Sequence, residues 1–228
     1  MPRASRTPVS VTKPAATRPA PAVQRDAAGD PILIPLDKLR PTQAVVGMRA
    51  VAAKREKVED RAHKERKIIR FLEKRPIPAV AGPGGGYFIV DHHHLSLALW
   101  QSGVDRAFVR IIDDWSSLTR GMFWTSMART GRVYPFDATG RRLRPHEMPE
   151  SVHRLRADHY RDLAWSVREE GGYEKTWAPF AEFRWASFFR DHISLTSIRR
   201  DYDHALERAL GLARSRSAAS LPGYLGRY

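Results

Sequence analysis

The chain has 228 residues, no cysteine and a formal net charge of +14 at neutral pH. That length supports one sizeable core, or one domain with a helical extension, and 42% hydrophobic residues are enough to fill it. Lack of cysteine excludes disulfides, thiolate metal sites and cysteine nucleophiles. No apolar run approaches the ~20 residues that span a bilayer, so no membrane partner is expected. The basic balance favours anionic partners such as nucleic acid or nucleotides; its plainer reading is a solvated basic surface.

Residues 1–30 are rich in Pro, Ala, Ser, Thr and Arg, with Pro2, Pro8, Pro14, Pro19 and Pro21 set against any regular helix. They read as a disordered basic tail. The tail has no apolar stretch of the secretory kind, so the cytoplasm is the expected compartment. Order is expected from residue 31. Ile32–Ile34, between Pro31 and Pro35, reads as a short edge strand. Val46–Leu72 has helical spacing and is long enough for two helices. Ala79–Ala81 reads as a strand, and Gly82-Pro83-Gly84-Gly85-Gly86 as a turn. Tyr87–Val90 reads as a buried strand, Leu95–Leu99 as a helix stopped at Gly103, and Phe108–Ile112 as a further strand. In the second half, Ser116-Ser117 are expected to cap a helix over 118–129, and residues 131–149 to form an irregular connection. Val152, Leu155, His159, Leu163 and Val167 fall on one helical stripe. Phe180–Phe189 make an aromatic helix with Trp177 packed at its start, and 194–214 one amphipathic helix before a fraying end. The expected fold is α+β: a small mixed sheet with surrounding helices over 31–193, and a C-terminal extension over 194–228.

The densest chemistry lies where Tyr87–Val90 runs into Asp91-His92-His93-His94 and a helix follows. Free backbone N–H groups and the positive end of a helix dipole favour an anion there. Histidine can donate to a phosphate, carry a proton or ligate a metal, and Asp91 can orient an imidazole or hold Mg²⁺. The plainer reading makes Asp91 the helix N-cap. Neighbouring residues diverge on a strand or helix, so no metal held by all three histidines is expected.

This run resembles the phosphate-binding strand–loop–helix of ParB-like and sulfiredoxin-like domains. It most resembles the bacterial ParB-like nuclease family that carries Asp-His-His-His. Leu39-Arg40-Pro41-Thr42-Gln43, Pro76-Ile77-Pro78, Phe123-Trp124, Tyr160–Leu163, Gly171-Gly172-Tyr173 and Phe183–Arg190 resemble its further blocks in order, over about residues 32–193. The resemblance implies a ParB/sulfiredoxin-type fold. Sulfiredoxin activity needs a cysteine that is absent here, and no helix-turn-helix follows, so neither that activity nor sequence-specific centromere binding is expected. Related kinases use a glutamate where Gln43 stands, and Gln43 cannot take a proton near neutral pH. The arginine that usually closes the motif is Leu95, so charge is expected from Arg49, Lys54 or Arg161.

The leading expectation is a domain that binds a nucleotide or polyphosphate, with phosphodiester cleavage or phosphoryl transfer as its chemistry. His93 or His94 would act as acid/base or oxyanion donor, Asp91 would orient them, and His92 and Gln43 would hold the ligand. The cofactor stays open, with a nucleotide and Mg²⁺ as a candidate; so does the oligomeric state. The alternatives are a non-catalytic, sequence-indifferent nucleic-acid-binding module, and a scaffold using the aromatic helix as a partner face.

Overall fold

The computed structural model describes residues 29–226. The reading of residues 1–28 as a tail therefore falls outside the described residues. The sheet is built from β1 (Ile32–Pro35), β2 (Leu39–Pro41), β4 (Ile77–Ala81), β5 (Tyr87–Ile89) and β6 (Arg106–Asp114), in the order β1-β6-β4-β5-β2. Pairing is antiparallel for β1/β6 and β4/β5 and parallel for β4/β6 and β2/β5, so the sheet is mixed. A second, two-stranded parallel sheet joins β3 (Val45–Val46) to β7 (Arg156–Ala157). This is the α+β class expected from the sequence.

The strands alternate between two cores, as a period of two requires. Ile77, Ala79 and Ile89 face a core shared with α1 (Met48–Ala62), α2 (Glu65–Glu73) and α3 (His93–Gln101). Val80 and Phe88 face the other side, against α4 (Arg120–Arg129), the 131–148 connection and Phe183. A third core is helical. It joins α5 (His159–Glu169), α6 (Ala181–His192), α7 (Leu195–Arg200) and α8 (Tyr202–Ala213) around Leu163, Trp185 and Phe189. The aromatic helix is thus a core helix, with Trp185 and Phe189 fully buried.

Several local expectations shift. The long helical stretch breaks at His63-Lys64, and Lys64 is extended ahead of α2. Tyr87, Phe88 and Val90 are only half-buried; Ile89 alone is fully enclosed. The cap of α4 is Thr119, whose hydroxyl accepts from the Met122 N–H, while the Ser116 N–H turns back to Asp114. The stripe begun at Val152 is no single helix: a 3-10 turn over Val152–Arg154 and β7 come before α5, which Asp158 caps. The last helix is two, broken at Asp201, whose carboxylate accepts from the His204 N–H and starts α8. The end is docked rather than frayed through residue 226: Ala218 is fully buried and Trp185 Nε1 donates to the Pro222 carbonyl at 2.8 Å. Trp177 does not pack at the start of the aromatic helix; among the described residues it is 99% exposed.

Candidate functional site

β5 ends at Ile89, and α3 begins four residues later at His93. The N-cap is His92, not Asp91: it sits in the left-handed region at φ 62°, and its N–H donates to Asp91 Oδ1 at 2.6 Å. No side chain caps α3, so the positive end of its dipole stays open. The loop that carries Gln43 lies against this helix start. The Thr42 N–H donates to His93 Nε2 at 3.2 Å, and the Gly47 N–H donates to His94 Nε2, also at 3.2 Å. Space at Gly47 is tight: a Cβ would stand 3.0 Å from Asp162 Oδ1 and 3.1 Å from the Arg161 carbonyl carbon.

These bonds fix the histidine chemistry. A ring nitrogen that accepts from an amide carries no proton, so His93 and His94, when neutral, hold theirs on Nδ1. Burial lowers the His93 pKa to about 3, with Asp91 and a hydrogen bond to Ile89 pulling weakly the other way. Burial, then the nearby Arg161 charge, places His94 well below its ordinary range. His92 is lowered too, again mainly by burial, and its buried Nδ1 has no hydrogen-bond partner among the described residues. At neutral pH the cluster presents neutral imidazoles.

Seven of the eight sequence-predicted site residues meet in one cavity of about 520 Å³: Gln43, Lys54, Asp91, His92, His93, His94 and Arg161. Arg49 is the exception. Its guanidinium lies 3.6 Å over the Tyr202 ring and its backbone N–H donates to Asp162, which turns it away from the cavity. Lys54 stands at the mouth on α1; partial burial of its ammonium, and then Lys57, lower its pKa.

Arg161 is buried, 4% exposed. One nitrogen, Nη2, donates to Glu182 Oε2 at 3.0 Å, and the guanidinium stacks 4.0 Å over Phe183. Its Nε and Nη1 have no hydrogen-bond partner among the described residues. Burial lowers its pKa to about 10, which still leaves it charged at neutral pH. Glu182 also pairs with Arg168, so one carboxylate faces two guanidinium groups. The N-terminus of α6 borders the same space, with Phe180 as an N-cap at φ 55° and no side-chain cap.

Trp165, Arg168 and Glu182 also line the cavity and were not singled out from the sequence. The spacing Arg161-x₃-Trp165-x₂-Arg168 was the available signal, since steps of four and seven share a helix face. Nothing local marks Glu182. Among the described residues, no group of three or more His, Asp or Glu side chains could hold a metal ion, and no helix is long and apolar enough to cross a membrane.

A mixed sheet whose strand–loop–helix junction opens on a basic cavity defines an α+β domain of ParB/sulfiredoxin type. Comparison with known families agrees: the model described as "putative ParB-like nuclease" matches residues 32–191, and the chain belongs to that family. Among solved structures, the crystal structure of protein Atu1540 from Agrobacterium tumefaciens is similar, with 40% sequence identity and a TM-score of 0.78. The match covers 87% of this chain and 98% of that one. No curated protein matches the chain.

Proposed function

We propose that the cavity binds the phosphate group of a nucleotide or phosphodiester between the start of α3 and the Arg161 guanidinium. The observation that carries this reading is Arg161. A buried cation with two N–H-bearing nitrogens left without partners among the described residues is costly unless an anion completes its set. A planar guanidinium suits phosphate oxygens, and an open helix start supplies further donors. In this reading His94 acts through Nδ1–H as a neutral donor, Lys54 closes the charge at the mouth, and Gln43 positions the ligand. Asp91, exposed at the edge, would meet the Mg²⁺ of a nucleotide. Reaction at the bound group would be phosphodiester cleavage or phosphoryl transfer. The residues would contribute positioning and charge stabilisation, with no imidazole cycling a proton.

The test is calorimetric titration with pyrophosphate and ADP, alongside thermal shift, on wild type and Arg161→Met. Methionine fills the space, and Glu182 keeps its pair with Arg168, so the fold should hold. Binding to wild type and at least a tenfold loss in Arg161→Met is the expected result, given the worth of charged hydrogen bonds. A wild-type protein that neither binds nor is stabilised by either ligand at millimolar concentration overturns the reading.

A further inference from the structure

α5 is buried along almost its whole length. From Tyr160 to Val167 every residue is buried except Trp165, the largest side chain of the run. An indole is among the groups a protein gains most by enclosing. Yet Trp165 belongs to none of the three hydrophobic cores, and it stacks on no other ring and under no cation among the described residues. It lines the cavity instead, four residues after Arg161 on the same helix face. Ala50, a small residue, and Pro179 also line the space.

We infer that Trp165 is the platform on which a nucleobase stacks, which makes the ligand a nucleotide unit and not a bare polyphosphate. The inference rests on the phosphate reading above. Four residues, about 6 Å of helical rise, separate positions 161 and 165 along α5. The phosphate and base of a single nucleotide are separated by a distance of that order, so one ligand can reach both. A cavity of about 520 Å³ is ample for it. Every base has a π-face, so stacking selects for a base without choosing among the four. Inorganic polyphosphate has no such face and would leave the indole uncovered. A free nucleotide and an unstacked nucleotide within a strand share this chemistry.

The experiment compares ADP, GDP, CDP and UDP with pyrophosphate, and adds a 5′-phosphorylated oligothymidylate. Affinities are measured for wild type, Trp165→Leu and Trp165→Phe, with the melting temperature of each variant as a folding control. The expected result is a roughly tenfold loss of nucleoside diphosphate affinity in Trp165→Leu, most of it retained in Trp165→Phe, with pyrophosphate unchanged. The same pattern on the oligonucleotide alone supports the inference and assigns the base to a strand. Tryptophan fluorescence of wild type provides a second readout if Trp165→Leu does not fold: the diphosphates should quench it more than pyrophosphate, and Trp165→Phe should lose the difference. Equal losses for nucleoside diphosphates and pyrophosphate, or no loss for any base-bearing ligand, overturn the inference while leaving the phosphate site standing. No binding of any of these ligands to wild type overturns both.

Discussion

His93 accepts the Thr42 N–H on Nε2 and is 4% exposed, so a proton on that nitrogen would cost both the hydrogen bond and an uncompensated buried charge. Its pKa of about 3 in the fold lies below the ordinary value of 6.5. Below pH 6.5 the unfolded chain therefore takes up a proton that the native chain refuses. The stabilisation from the neutral ring is complete above 6.5 and is lost as pH falls toward 3, at up to about 1.4 kcal/mol per pH unit. Urea unfolding at pH 7 and pH 5 should show a loss of about 2 kcal/mol from His93 alone. His93→Gln offers an amide oxygen to Thr42 but cannot titrate, so it should flatten this dependence; a slope unchanged in the variant would contradict the assignment. Ligand affinity behaves differently: no imidazole has to be protonated for binding, so between pH 6.5 and 8 it should follow only the ligand's own phosphate ionisation.

At the level of elements, the site depends on where α5 starts, because α5 carries both Arg161 and Trp165. Asp158 sets that start. Its Oδ1 accepts from the Tyr160 N–H at 2.9 Å, and its Oδ2 accepts from Arg190 Nη2, also at 2.9 Å. Asp158→Asn keeps a cap acceptor and leaves the half-buried Arg190 without its counter-charge. It should cost about 1.5–3 kcal/mol in chemical unfolding, the worth of a charged hydrogen bond. Asp158→Ala removes the cap as well and should cost about 1 kcal/mol more; equal losses in the two variants would show the cap to be idle. This same start was illegible in the sequence. Val152, Leu155, His159, Leu163 and Val167 keep helical spacing straight through it, and the interruption comes from a two-residue pairing of β7 with β3, more than a hundred residues away in sequence. Asp201 breaks another apparently continuous stripe by capping α8. Such breaks are set by which backbone groups find partners, and apolar spacing carries no record of that. The Asp91–His94 junction was legible because it is local: one strand, four polar residues and one helix in sequence order. Glu182 and Trp165 enter the cavity through tertiary packing, and Arg49 leaves it because Tyr202 of α8 offers its guanidinium a ring.

For the whole molecule, part of the net charge of +14 is carried beside the site. Lys64 just ahead of α2, and Lys67 and Arg70 on it, are exposed, while Leu72 of the same helix is buried. Lys54 on the neighbouring α1 lines the cavity, so the basic hairpin of α1 and α2 leads to its mouth. Charges held on an exposed helix face meet phosphates as a field, without reading base edges. Nucleic acid should therefore bind without sequence preference, and affinity should fall steeply with salt as condensed counterions are released, with a logarithmic slope of about −0.9 per phosphate neutralised on duplex DNA. Fluorescence anisotropy with several unrelated duplexes between 50 and 200 mM salt would measure it. Replacing Lys64, Lys67 and Arg70 together by Gln should make that slope shallower, by about 0.9 for each phosphate that the variant no longer neutralises, while ADP affinity in the cavity stays as in wild type. Tight binding to one duplex alone, with little salt dependence, would contradict this and point to a base-reading element instead. An unchanged slope in the triple variant would move the nucleic-acid face off α2.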